Sequence, residues 1–464
     1  MTSAAVSLIQ SAIMEPCQPW ARYVLRWEQW GTLVEMLATE PLTLLAAWAD
    51  TVQVHALFDD AETGTILPVS VAVEAGTYPA LSLRRAEAVW YEHMIHDLWG
   101  HRAVGGAEIK PWLDHGNWPI THPMAPRPGP PPRVPEPPEF RVLEGEGMMQ
   151  YPIGPVAPGI AEASHLRLTL RGDRIVAAEA RLGYTHRGTL ALMRGKPART
   201  AARFAARLAG DATVAHSMAF ALAIEAALGV EIPPRAIALR SLMGALERIA
   251  TQLDILTSQG ALLGAAAIQG RCGLRQEHLR RAMAIAFGHR LMMDCVVPGG
   301  VAGDIARGGV AAVRQALDAV AREVPDLRRL YQGPAVSARL CGLGRIRSGP
   351  HPVQGDTDAR TRARLDAIAN DVDIAIRGLD RLPTEGLSVS MPTGSGEGLA
   401  QCRSARGEVW HWVRVDHGQV AAIFPRDPGW ALWPLAEAAL RGAPVADTAL
   451  ICCSLGLPVS GLDL

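Results

Sequence analysis

Residues 199–229 read RTAARFAARLAGDATVAHSMAFALAIEAALG. From Ala212 onward this stretch is apolar on nearly every face of a 3.6-residue period, and Gly229 supplies a stop. Pro197 and Thr200 mark its start, so the pattern predicts one helix over about 199–228, buried at the centre of a bundle. Its segment 205–217 carries Arg207, Asp211 and His216, set among alanines and a single glycine, Gly210. So many small side chains either admit a close neighbour or leave a space.

Helical patterns recur on the C-terminal side, over 233–258, 276–294, 309–330, 358–381 and 434–441. Alternating runs frame them. SHLRLTL and RIVAAEA meet at RGD, and EVWHWVRV and QVAAIF meet at DHG, so each pair reads as a hairpin. On the N-terminal side TVQVHALF (51–58) and TILPVSVAV (65–73) form another predicted hairpin, and a helix is predicted over 82–100. Residues 119–138 hold ten prolines, a density no helix or central strand tolerates, and predict a polyproline II spacer. The expected organisation is therefore 1–118, a proline-rich linker at 119–140, and a larger unit at 141–464. The fold class is α+β: an α/β N-terminal domain, then a mainly α-helical bundle with small antiparallel β elements.

The composition bounds the function. With 464 residues, a formal charge of −1 and 49% hydrophobic residues, nothing favours a nucleic-acid partner. The seven cysteines contain no CxxC pair, and their odd number argues against a disulfide framework. The N-terminus lacks a basic n-region, so no signal peptide is read. The longest uncharged run near the middle, 255–270, is short for a span and carries three glycines, so no direct membrane span is expected.

Five stretches occur in order: YPIGPVAPGI (151–160), RLGYTHRGTL (181–190), ALGVEIPPRA (227–236), LERIATQLDIL (246–256) and VPGGV (297–301). Together they resemble the large subunit shared by group 4 membrane-bound nickel–iron hydrogenases and the D-type subunit of complex I. RGEVWHWVRVDHGQ and WPLAEAALRGAPVADTALICCSL resemble the hydrogenase-4 and formate hydrogenlyase side of that family. VWYEHMIHDLWG followed by WLDHGNWPI looks like the C-type subunit of complex I, so a fused arrangement is implied.

The resemblance implies a metal site and this sequence departs from it. In the family the helix quoted first carries an arginine, a C-G-x-C pair and an alanine–histidine–serine step. Arg207, Gly210, Ala215, His216 and Ser217 match, but the cysteine positions fall on Ala209 and Ala212. The second pair falls on Pro458 and Gly461. Those side chains offer no donor atom, whereas nickel–iron chemistry needs thiolates. The family glutamate after H-R-G is Leu190, the histidine of E-R-[IL]-x-x-H is Gln252, and the stretch 341–360 is shortened. The quinone-facing histidine and tyrosine of the complex I variant fall on Ala157 and near Gly210.

The resemblance implies a structural and coupling large subunit without its own nickel–iron site or any bound cofactor. Its implied partners are an iron–sulfur small subunit holding a 4Fe–4S cluster, a ferredoxin-like subunit and antiporter-like membrane subunits. Its place would be peripheral, on the cytoplasmic face of the membrane. The alternatives are a quinone or small-molecule reductase using the vacated cavity, or a non-redox assembly protein. Cavity candidates are His186, Arg187, Arg207, Asp211 and His216, against the plainer reading of a buried network with Arg–Asp paired and histidine hydrogen-bonded. His93, His96, Asp97 and His101 share one predicted helix face and are candidates for metal binding or docking. Cys452 and Cys453, in a predicted strand ALICC, are expected to be small core residues.

Overall fold

The computed structural model describes residues 3–131, 139–156, 162–347 and 354–464. Ala157, and 132–138 of the proline-rich segment, lie outside the described residues.

The N-terminal unit is built on a five-stranded sheet in the order Ile13–Glu15, Arg22–Leu25, Thr65–Ala72, Gln53–Asp60, Leu42–Ala49. The hairpin expected at 51–73 is its centre. Gln53–Asp60 is buried almost throughout, because both faces of the sheet are covered. The helix Trp27–Met36 buries Trp30, Leu33 and Val34. Trp48 and His55 belong to the same core and pack against Trp412 and Phe424, with Trp48 and Phe424 stacked at 5.4 Å. Trp412 and Phe424 belong to a three-stranded antiparallel sheet, Gly396–Arg403, Glu408–Asp416 and Gln419–Arg426.

That second sheet explains the alanines. A Cβ on Gly398 would lie 2.0 Å from the Ala223 carbonyl oxygen, and one on Gly396 would lie 2.1 Å from that of Ala227. Glycines on the strand and alanines on the helix Thr213–Leu228 let the two backbones touch. The small residues admit a neighbour, and the neighbour is a strand that the sequence patterns did not single out. The remaining helices, chiefly Pro234–Leu262, Ala266–Phe287, Gly309–Gln332 and Thr357–Asp380, enclose a second apolar core. VPGGV is a tight turn held by Arg240, which donates to the Val297 and Gly300 carbonyls while paired with Glu225 at 2.6 Å.

Three expectations are corrected. The helix predicted over 199–228 is two helices, Ala198–Ala205 and Thr213–Leu228, because groups outside it satisfy the broken backbone. Arg187 donates to the carbonyls of Arg207 and Leu208 at 2.8 and 2.7 Å, and Glu247 accepts from the N–H groups of Val214 and Ala215 at 2.5 and 3.0 Å. ALICC is not a strand but part of the helix Thr448–Leu455, closed by Gly456 at φ +65°. The helix expected over 82–100 begins at Val89.

Residues 119–131 do not run as a free extended spacer. Thr121 and Gly129 form a backbone bridge, and the Met124 N–H donates to the Leu98 carbonyl at 2.8 Å. The N-terminal sheet is also fastened to the C-terminal one, with Gln18 bridged to Gly398 and Arg22 paired to Glu397 at 2.6 Å. Cleavage within 119–138 by a broad-specificity protease is therefore expected to give two fragments that elute together by size exclusion. Fragments that separate without denaturant would show that the shared aromatic core does not hold the two parts.

Candidate functional site

The polar centre of the molecule lies where the helix Thr213–Leu228, the strand Glu408–Asp416 and the C-terminal tail meet. His216 is fully buried one turn beyond Ala212, to whose carbonyl its N–H is bonded at 2.9 Å. Its Nε2 lies 3.1 Å from Asp427 Oδ2, and its Nδ1 lies 3.0 Å from Nε2 of the buried His411. Two proton arrangements satisfy these contacts: a neutral His216 donates from Nε2 to Asp427 and accepts from His411 Nε2–H, or a protonated His216 donates to both Asp427 and His411. In either, the buried His411 Nδ1 has no partner among the described residues. Burial and the neighbouring His216 hold His411 well below the ordinary histidine range. Burial alone would raise the Asp427 carboxyl, but His216, the Gly429 N–H and Arg406 hold it low.

The tail is stitched to the broken helix. Arg187 Nη2, which donates to Leu208, also donates to the Ser460 carbonyl at 3.2 Å. Glu162 accepts from the N–H groups of Val459 and Ser460, both at 2.7 Å. Asp463 accepts from Gly183 and Thr185, and its carbonyl lies 2.6 Å from His186 Nδ1. His186 also stacks on Trp118 at 4.8 Å.

Thus His216 and Arg187 converge on one centre, and His186 anchors its edge. Arg207 and Asp211 are not partners of each other. Arg207 points outward to Asp294 at 2.7 Å, and Asp211 pairs with Arg406. The break at Ala206–Ala212 turns these two side chains to different sides, which a continuous helix would not do. Sequence reasoning missed Asp427, His411, Arg406 and Glu162. Asp427 stands before Pro428–Gly429 and reads as a helix start, and His411 is one polar residue in an alternating hairpin.

The four positions the resemblance assigns to nickel ligands flank this centre. Ala209 and Ala212 are buried in a small cluster with Ala215, Ala219, Cys402 and Val409. On the tail, a Cβ at Gly461 would lie 2.4 Å from Asp427 Oδ2, and one at Gly429 would lie 3.2 Å from Pro458 Cγ. The Pro458 carbonyl accepts the Trp433 indole N–H at 2.7 Å. A carboxylate and an imidazole thus stand beside positions whose own side chains carry no donor atom. The residues present do not fit a thiolate-held metal pair.

The other candidates are dispersed. His93 binds the Glu108 carbonyl, His101 binds the Asp50 carbonyl, and Asp97 accepts three successive backbone N–H groups from Trp112 to Asp114. Among the described residues no group of three or more His, Cys, Asp or Glu could hold a metal. Most of the helix Val89–Trp99 is buried within this chain, so it offers little docking surface. Cys452 is buried, and burial pushes its thiol up to about 12.

Glu247 has the clearest pH signature. Burial pushes its carboxyl from 4.5 up to about 8, opposed by the N–H groups of Val214 and Ala215. An acid with a raised folded value binds its proton more tightly when folded. Its stabilisation is full below about 4.5 and is lost as pH rises through about 8. Glu247→Gln is expected to flatten that loss in denaturation measured across pH, while giving up one of the two backbone N–H bonds, since an amide has one accepting oxygen. Parallel profiles for the two proteins would contradict it.

Comparison with known proteins accords with this architecture. A family model described as nickel-dependent hydrogenase matches residues 187–253. Formate hydrogenlyase subunit 5 of Escherichia coli K12 is 26% identical over 451 residues, covering 85% of this chain and 79% of that protein. A D-type subunit (D 2) of the NADH-quinone oxidoreductase of Salinispora tropica is 30% identical over 212 residues, covering 46% of this chain and 55% of that one. A chain from the structure of an archaeal membrane-bound sulfane sulfur reductase matches with a TM-score of 0.64 and 20% identity, covering 69% of this chain and 99% of that chain, and shares the fold. The chain is similar over most of its length to subunits of membrane-bound hydrogenases, and over a shorter stretch to D-type subunits of NADH-quinone oxidoreductases.

Proposed function

We propose that this chain is a structural and coupling large subunit of a membrane-associated, complex I-like or hydrogenase-4-like oxidoreductase, without a nickel–iron site of its own. The observation that carries the reading is the packing of Asp427 against Gly461, beside three further ligand positions occupied by Ala209, Ala212 and Pro458. The relatives are subunits of membrane-bound hydrogenase and complex I-like assemblies. Among the described residues no helix is long and apolar enough to cross a membrane, which supports peripheral attachment through other subunits. An iron–sulfur small subunit carrying a 4Fe–4S cluster, a ferredoxin-like subunit and antiporter-like membrane subunits are the proposed partners, with the assembly on the cytoplasmic face.

In this role the buried Asp427–His216–His411 chain is a rigid polar core that replaces the ligands. Purification of the tagged chain from native membranes in mild detergent tests the assignment. The expected result is stoichiometric recovery of an iron–sulfur protein together with multispan membrane proteins. Recovery of the chain alone, or with non-redox proteins only, would favour an assembly role and contradict the proposal.

A further inference from the structure

A second region of the molecule carries chemistry that the proposed role does not use. The helix Pro334–Leu340, the turn after it and the end of the helix Gly429–Leu440 enclose an open cleft of about 530 Å³. Arg174, Arg339, Arg345 and Arg441 line it, with Asp447 as the one lining carboxylate. Three of the guanidinium groups have carboxylate neighbours. Arg174 lies 3.8 Å from Asp173, Arg339 lies 3.6 Å from Asp447, and Arg345 lies 3.1 Å from Asp356. Asp356 is shared, because it also caps the helix Thr357–Asp380 through the Ala359 N–H and accepts from the Gly342 N–H. Arg441 makes no ion pair among the described residues.

Three of these charges are offset by a carboxylate, so the excess positive charge of the cleft rests on Arg441, and the cleft walls focus its field. Arginine presents a planar fork of donors that matches phosphate oxygens two at a time. From the cavity and the four arginines that line it we infer that this cleft binds a phosphate-bearing anion with more than one negative charge, or a surface displaying such groups. The inference stands independently of the reading of the metal site.

Cys341 lines the same cleft and is the exposed one of the seven cysteines, which gives a direct reporter. The experiment follows alkylation of Cys341 by N-ethylmaleimide in the full chain, with the modified residue identified by peptide mass. One arm adds inorganic pyrophosphate. The other adds phosphatidylcholine vesicles with and without phosphatidylglycerol. Pyrophosphate at ten times its dissociation constant should slow alkylation by about tenfold. Sodium chloride at matched ionic strength should not. Arg441→Gln, at an exposed position, should weaken protection by about tenfold or more, through loss of one charge-assisted fork. Arg345→Gln is the second variant and should act in the same direction. Protection by pyrophosphate identifies a soluble phosphate ligand, and protection only by phosphatidylglycerol vesicles identifies a lipid headgroup. No protection in either arm overturns the inference. So does protection matched by sodium chloride, or protection that survives both substitutions.

Discussion

Replacing Glu397 by alanine is expected to cost about 3–5 kcal/mol of folding stability, because it removes the buried carboxylate that Arg22 and Arg414 share and leaves the buried Arg22 only the exposed Glu15. Glu397 sits at the junction of the two sheets. Its Oε1 accepts from Arg22 Nε at 2.6 Å and from the Trp412 indole at 2.9 Å, and its Oε2 accepts from Arg22 and Arg414 at 3.2 Å. Arg22 is itself buried, with further bonds to Ser70 and Gln53. Arg414 reaches Asp50 at 2.7 Å. Burial alone would raise the Glu397 carboxyl, but Arg22, Trp412 and His55 hold it low. A carboxyl with a depressed folded value stabilises above its unfolded value and loses that contribution as pH falls through the folded one. The parent should therefore lose more stability on acidification than Glu397→Ala. Chemical denaturation followed by tryptophan fluorescence reads both effects. Asp304→Ala, at the more exposed Arg235–Asp304 pair, is the control and should cost no more than about 1 kcal/mol. Equal effects at the two sites would show that the junction is not held by this network.

Gly461→Cys should destabilise the chain by about 1–3 kcal/mol, as an added side chain does in a packed interior. The new Cβ would lie 2.4 Å from Asp427 Oδ2 and 2.8 Å from its Cγ, and Asp427 cannot swing away without releasing His216 and the Gly429 N–H. The two sites should therefore couple. In an Asp427→Ala background, which removes the two nearest atoms and leaves the Cβ of residue 427 at 3.1 Å, the penalty of Gly461→Cys should shrink by at least half. An unchanged penalty would show that position 461 and Asp427 do not meet. By the same reasoning, writing cysteine back at 209, 212, 458 and 461 is expected not to recreate a metal site, since Asp427 and His216 already stand beside those positions.

Much of the architecture was legible because periodicity reports local structure. The helices at Pro234–Leu262, Gly309–Gln332 and Thr357–Asp380 begin and end close to where their caps and prolines place them. The failures were at places where distant groups override local propensity. Nothing near residue 206 announces a break, because the break is satisfied by Arg187 and Glu247, far away in sequence. The strand Gly396–Arg403 has two glycines where a strand pattern wants side chains, and only contact with Ala223 and Ala227 gives them a purpose. ALICC has the composition of a strand, yet Gly456 closes it as a helix. At the site, His216 and Arg187 stood out through motifs. Asp427 and His411 did not, since their partnership with His216 spans 211 and 195 residues.

The most direct measurement is elemental analysis of the chain isolated with its native partners, with the iron of the iron–sulfur subunits subtracted. A chain with Ala209, Ala212, Pro458 and Gly461 at the positions that the resemblance assigns to nickel ligands should carry no stoichiometric nickel, whatever maturation proteins are present. Near one nickel per chain would contradict the assignment, and the ligands would then have to be sought among Cys402, Cys452, Cys453 and the buried histidines.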